Sequence, residues 1–280
     1  MTVLEVLQAS TDYFRKRNIE SARLNAEHLL AHVLERKRIE LYLEFDRALT
    51  ETELAPLREL VRRRGEGEPL QYLLGTVEFC GQVFLCDKRG MVPRPETEEL
   101  VELLIADCGS RIADSKILDV GTGSGAIALS LAARLPGVQV QGTDISEEAL
   151  ALASENAARL GLSERVAFSR RNLLENLTER FDVIVANLPY IAMSDRDSLS
   201  REVLHDPALA LFGGERGDEL IQQLIGQAQA NLTPGGLLAM EIGVGQSEAV
   251  TAALEQKKYK DISAKNDYSG TPRFVFARYG

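Results

Sequence analysis

Asn187-Leu188-Pro189-Tyr190 is the stretch whose residue types and spacing could do chemistry. It ends an apolar run, Phe181 to Ala186, that reads as a buried parallel strand. Ligands of open α/β sheets bind at the carboxyl ends of such strands. Asn187 offers a side-chain oxygen there. Pro189 lacks an N–H and fixes φ, which limits rearrangement of the backbone. Tyr190 adds a flat face for a planar group. A planar amide or amino group carries two N–H donors and needs two acceptors.

A second constellation lies upstream, in Lys116-Ile117-Leu118-Asp119-Val120-Gly121-Thr122-Gly123-Ser124-Gly125-Ala126. A short apolar run meets a glycine turn, and a helix of small residues follows. Glycines let the chain turn tightly and approach a ligand closely. The spacing fits G-x-G-x-x-G/A, with Ala126 in last place. Asp144 follows at the end of a second expected strand, where an acidic side chain accepts hydrogen bonds from ribose hydroxyls. Its other reading is an N-cap for the helix that starts near Ser146. The pattern implies a nucleotide-like cofactor with a free ribose and does not separate NAD from S-adenosylmethionine. Asp119, just before the turn, suits a cationic amino or sulfonium group better than a pyrophosphate.

With these residues the chain resembles the class I S-adenosylmethionine-dependent methyltransferases. Among them it is most similar to the glutamine methyltransferases that modify peptide chain release factors, the PrmC/HemK family. The resemblance spans nearly the whole chain. Ala26-Glu27-His28-Leu29-Leu30 looks like the family's helical domain and Glu68 to Gly75 like its connecting segment. Val92-Pro93-Arg94-Pro95-Glu96-Thr97-Glu98 is similar to its entry into the catalytic domain. Two positions depart from the pattern. Leu188 stands where the family usually has a proline, and Arg170-Arg171-Asn172 where an acidic residue near the adenine is common, with Asn172 or Arg171 as the substitute contact.

The resemblance implies an α/β fold: a Rossmann-like methyltransferase sheet with a small N-terminal helical domain. It divides the chain into a helical substrate-recognition domain at 1–74, a β-hairpin connector at 75–91 and a methyltransferase domain at 92–280. It implies methyl transfer from S-adenosylmethionine, leaving S-adenosylhomocysteine, to the glutamine of the Gly-Gly-Gln motif of class I release factors. Asn187, Leu188, Pro189 and Tyr190 would be catalytic. Asp119, Gly121, Thr122, Gly123, Ser124, Gly125, Asp144, Asn172 and Asn187 would hold the cofactor. The exocyclic amine of adenine is equally planar with two N–H donors, so DNA or RNA adenine methylation is the alternative. A ribosomal-protein glutamine methyltransferase and a non-catalytic cofactor-binding module also stay open.

Composition narrows the classes. The formal net charge is −10 with a pI near 5.0. Residues 1–90 are close to neutral and the remainder carries nearly all of that charge. Stable nucleic-acid binding, which needs phosphate-neutralising cations, is not expected. Arg36-Lys37-Arg38 and Arg62-Arg63-Arg64 read as solvated helix ends rather than a basic patch. Cys80, Cys86 and Cys108 have no zinc-like pairing and read as reduced structural thiols. No metal site is expected; His28 and His32 share a helix face without a third ligand. Neither a signal peptide nor a membrane span is indicated, so a cytoplasmic location is expected.

The elements that must position these groups follow from periodicity. Residues 1 to about 74 read as helices, with Leu4, Leu7 and Thr11 on one stripe, Leu24, His28, Val33 and Leu34 on another, and Leu54, Leu57 and Val61 on a third. Val77 to Leu85 alternates around Gly81, a hairpin. Strands are expected at 116–120, 138–143, 165–169, 181–186, 236–242, 258–264 and 272–278, alternating with helices in a sheet covered on both faces. The last reads as an antiparallel edge strand. His205-Asp206-Pro207 and Phe212-Gly213-Gly214 lie in a loop that reads either as substrate-facing or as an ordinary surface turn.

Overall fold

The computed structural model describes residues 1–108 and 115–280, with the side chain of Cys108 outside the described set. The chain divides into two compact units, residues 1–76 with 200–205, and residues 77–199 with 206–280.

The first unit is helical: α1 (Val3–Arg15), α2 (Ala22–Val33), α3 (Glu51–Gly65) and the short α4 (Leu70–Leu74). Capping contacts start two of its helices. Thr2 and Glu5 satisfy each other's backbone N–H at α1, and at α3 the Glu53 carboxylate accepts from the Thr50 N–H. The core holds Val3, Val6, Leu7 and Phe14 from α1 against Leu29, Leu30, Leu54 and Leu57. Of the expected stripe of α1, Leu7 and Thr11 are buried, whereas Leu4 is exposed and Val3 takes its place in the core. The expected solvated run at 62–64 is corrected at Arg64 alone. Arg64 is buried, its guanidinium donating to Asn25 Oδ1 at 2.7 Å and to Glu202 at 2.6 Å, while Arg62 and Arg63 pair with Glu59, Glu66 and Glu68.

The second unit opens with the hairpin β1 (Thr76–Phe79) and β2 (Gln82–Leu85), which turns at Cys80 and Gly81, both at positive φ. Then follow α5 (Pro95–Cys108), β3 (Lys116–Val120), α6 (Ala126–Arg134), β4 (Gln139–Asp144), α7 (Glu147–Arg159), β5 (Val166–Arg170) and β6 (Phe181–Asn187). A short pair, β7 (Ile191–Ala192) and β8 (Phe212–Gly214), flanks α8 (Ala208–Leu211). The chain ends with α9 (Glu219–Asn231), β9 (Leu232–Glu241), α10 (Ser247–Gln256), β10 (Lys260–Asn266) and β11 (Pro272–Arg278).

Seven strands form one sheet in the order β10-β11-β9-β6-β3-β4-β5. Alternate residues feed two cores. Ile117, Val183, Val185, Phe274 and Phe276 pack with α5, α6 and the hairpin phenylalanines Phe79 and Phe84. Leu118, Ile184, Met240, Val275 and Ala277 pack with α9 and α10. Both faces are therefore covered, as the near-continuous apolar strands require. β11 is antiparallel to both neighbours, as expected, but it is interior rather than an edge. Phe274 to Ala277 are buried on both faces, and β10, with mostly exposed residues, takes the rim.

No helix among the described residues is long and apolar enough to cross a membrane.

Candidate active site

Parallel register brings the two constellations together. Val120 at the end of β3 lies opposite Ala186 of β6, so Gly121, the first residue beyond β3, comes out beside Asn187, the last residue of β6. Gly121 has φ +74°, and a Cβ there would come within 2.8 Å of Leu188 Cδ2. Only glycine meets both demands. The N–H groups of Gly121 and Thr122 both donate to the Thr143 carbonyl at the end of β4, at 2.8 and 2.9 Å. Gly123 N–H donates to Asp144 Oδ2 at 2.9 Å. The turn is thus clasped onto the neighbouring strand.

A cavity of about 580 Å³ opens over these strand ends. Gly121, Thr122, Gly123, Ser124, Asp144, Asn172, Asn187, Leu188 and Pro189, nine of the residues singled out from the sequence, line it. Its size suits a small-molecule cofactor. A Cβ on Gly123 would meet no protein atom within 4 Å, so the backbone itself forms that part of the wall. Asp144 Oδ1 accepts from Ser146 N–H at 2.9 Å. Each of its oxygens keeps lone-pair capacity for a hydroxyl donor. The N-cap of α7 is Ser146, whose hydroxyl accepts from Ala149 N–H, so Asp144 is not the cap. Asn172 is exposed at the rim, with its amide nitrogen on Glu175.

Three of the expected site residues stand outside the lining. Asp119 is 0 % exposed; its Oδ2 accepts from Thr122 Oγ1 at 2.7 Å and from Ala128 N–H at 3.2 Å. The carboxylate therefore braces the turn and the first turn of α6 from beneath, instead of facing a cationic group directly. Burial, with Asp144 nearby, pushes its pKa up to about 7. Gly125, at φ +81°, packs where a Cβ would press on Leu129 and Ala153. Tyr190 is packed against the α9–α10 core, with its carbonyl accepting from Gln246 Nε2 at 3.0 Å. Burial raises its phenol to about 12, so it stays protonated.

The segment at 92–98 is anchored beside this cavity. Asp206, buried, accepts from Val92 N–H and from Arg94 at 2.5 Å. Pro95 starts α5, and Thr97 in its first turn reaches the strand ends. Asn187 Nδ2 donates to Thr97 Oγ1 at 2.9 Å, and Thr97 Oγ1 donates to Glu241 Oε2 at 2.8 Å. The Asn187 Oδ1 has no hydrogen-bond partner among the described residues. Another pin is Asn156 of α7, fully buried, which binds both polar groups of Leu85 and the Ser124 carbonyl. Sequence reasoning missed Thr97, Asn156, Asp206 and Glu241 as site-building residues. The family-like run at 92–98 was the available signal for Thr97. The remaining three show their partners only in three dimensions.

The loop at 206–214 does face the cavity, through Pro207, Leu209, Ala210, Phe212, Gly213 and Gly214. Gly213 and Gly217 lie so close to the Pro189 and Tyr190 carbonyls that a Cβ on either would fall within 2.5 Å of oxygen. His205 itself is exposed and is not in the lining. Among the described residues no cluster of His, Cys, Asp and Glu suits a metal ion. Burial raises the Cys80 and Cys86 thiols to about 11 and 12, which fits inert thiols.

Comparison with known proteins agrees with this architecture. Residues 5–75 match the PrmC N-terminal domain family and residues 113–272 match the Methyltransferase domain family. A release factor glutamine methyltransferase of Geobacter sulfurreducens is 40% identical, over 100% of this chain and 97% of the relative. One of Rhodopirellula baltica is 42% identical, over 98% of this chain and 95% of the relative. The crystal structure of ribosomal protein L11 methylase from Lactobacillus delbrueckii subsp. bulgaricus shares 26% identity at a TM-score of 0.51, covering 67% of this chain and 81% of that one. The hMettl16 catalytic domain shares the fold at a TM-score of 0.58 and 13% identity, covering 82% of each chain. With full-length relatives at this level of identity, the chain belongs to the release factor glutamine methyltransferase family.

Proposed function

We infer that this protein transfers a methyl group from S-adenosylmethionine to the side-chain amide nitrogen of the glutamine in the Gly-Gly-Gln motif of class I peptide chain release factors. The observation that carries the reading is the free Asn187 acceptor beside the glycine turn, in a chain whose full length matches release factor glutamine methyltransferases.

The residues present fit the cofactor. The bare backbone at Gly121 and Gly123 admits close approach, and Asp144 has acceptor capacity for a ribose diol. Asp119 acts through Thr122 and α6, Ser124 and Gly125 complete the turn, and Asn172 stands at the rim for the adenine. When bound, the cofactor supplies a methyl group already activated by its positive sulfur.

A glutamine amide nitrogen is a poor nucleophile, because its lone pair is conjugated with the carbonyl. The amide rotational barrier of about 18–20 kcal/mol measures that conjugation. Asn187 Oδ1 and the Leu188 carbonyl accept the two N–H groups of the substrate. They hold its nitrogen in line for transfer and stabilise positive charge as it develops there. Orientation of this kind can supply up to roughly 7–11 kcal/mol of the barrier reduction. Pro189 fixes the backbone that presents the Leu188 carbonyl. Tyr190 supports that backbone from the core side, through its packing against α9 and α10. No strong base is needed beforehand, because the methylated nitrogen is acidic enough to lose its proton to water. The helical unit at 1–74 recognises the protein substrate, and the hairpin at 75–91 connects it to the catalytic part at 92–280.

The test is transfer of labelled methyl to a purified class I release factor and to the same factor with the Gly-Gly-Gln glutamine replaced. Label on the first alone supports the reading. Label on neither, with cofactor binding demonstrated, overturns it and turns attention to ribosomal-protein glutamines and adenine.

A further inference from the structure

Asparagine has two amide ends of nearly equal size and opposite hydrogen-bonding sense. Its role as an acceptor requires the oxygen to face the substrate. Rotated by half a turn, Asn187 would set an NH₂ against the substrate's NH₂, donor against donor. Something must decide between the two.

We propose that Glu241, acting through Thr97, is a positioning residue for methyl transfer: it holds the Asn187 amide with nitrogen inward and oxygen toward the substrate. The inference rests on the reading of Asn187 given above. Glu241 is the last residue of β9 and the register partner of Asn187 at the end of β6. It is 1 % exposed, and Thr97 is 4 % exposed. An ionised carboxylate only accepts hydrogen bonds, and a hydroxyl has one proton to give. Thr97 therefore spends its proton on Glu241 and can only accept from Asn187, which selects Nδ2. The polarity runs one way from carboxylate to active-site amide. Burying a carboxylate is costly, and packing alone would be served better by an apolar residue at this strand end. The site retains a charge whose effect is to orient.

The groups facing Glu241 are Thr97 and Glu96 from α5, Asn187 and Tyr190 from the end of β6 and the turn after it, and Arg273 from β11. Arg273 is itself paired with Asp267. Burial, opposed by the Thr97 hydrogen bond and by Arg273, raises Glu241 to about 7. Once protonated, Glu241 can donate to Thr97, and the threonine proton is free for the Asn187 oxygen. The amide then loses its fixed sense, so kcat falls as pH drops through about 7.

The test measures kcat on a release factor, at saturating S-adenosylmethionine, from about pH 5.5 to about pH 9. Thr97→Val keeps the shape and removes the relay. It should lower kcat by about 10–100-fold, the range for partners that orient a functional ligand, with cofactor affinity unchanged. Thr97→Ser keeps the hydroxyl and should restore turnover. Glu241→Gln cannot titrate and should lose the acid limb of the pH profile. Wild-type kcat in Thr97→Val, or an acid limb that persists in Glu241→Gln, overturns the proposal. Asn187→Ala separates this from the parent reading: wild-type turnover there removes both, whereas an inactive Asn187→Ala with indifferent Thr97→Val removes the relay alone.

Discussion

Asp144 braces the glycine turn from the wall of the cavity. Its two oxygens already take the Gly123 and Ser146 N–H groups, which sets the carboxylate at the cavity wall with acceptor capacity to spare. Hydrogen bonds to a charged acceptor are worth about 1.5–3 kcal/mol each. Asp144→Ala should therefore weaken S-adenosylmethionine by roughly 10–100-fold in a calorimetric titration. Unchanged affinity would reduce Asp144 to a brace for the loop. At this scale the sequence made much of the site readable. The glycine turn, Asp144 and the Asn-Leu-Pro-Tyr run carry their chemistry in local spacing. The Thr97–Glu241 contact does not, because its partners lie 144 positions apart and meet only through strand register. The depth of Asp119 was hidden for a related reason. Its position before the turn is local, whereas its burial depends on α6 closing over it.

Element ends, rather than element interiors, were where periodicity lost the chain. β3 and β11 fall where alternation and apolar runs put them. β9 instead begins at Leu232, before the turn-like Pro234-Gly235-Gly236, because the sheet absorbs those residues as an irregularity between Phe181 and Val183. The interior place of β11 was not readable either. Strand order is decided by which helices cover which face, and an alternating run fits a rim or a centre equally. That placement has an energetic consequence. Phe274 is fully buried between β10 and β9, in the core beneath α5. Phe274→Ala should cost about 3–5 kcal/mol in urea unfolding, as for large-to-small changes in packed cores. A loss below about 1 kcal/mol would mark a strand free to relax at a sheet edge.

Across the whole molecule, stability and acidity are linked through the buried carboxylates under the site. Asp119 rises from 3.8 to about 7 on folding and Glu241 from 4.5 to about 7, both mainly through burial. The folded state then binds these protons more tightly than the unfolded chain. Their contribution is fullest below about 4 and is lost as pH rises toward about 7. Asp119→Asn stays neutral throughout and keeps an acceptor beneath the turn. Without cofactor, its melting temperature relative to wild type should move upward between about pH 5 and about pH 8. A difference that is constant with pH would show that Asp119 titrates alike in both states.

The central claim is that Asn187 orients a substrate amide rather than the cofactor. Its most direct test is single-turnover methyl transfer to a release factor by Asn187→Ala preloaded with S-adenosylmethionine, alongside cofactor titration. The account predicts transfer slowed by about 100-fold or more, as when a stabilising partner of transition-state charge is removed, with cofactor affinity within a few-fold of wild type. Transfer at close to the wild-type rate would contradict it.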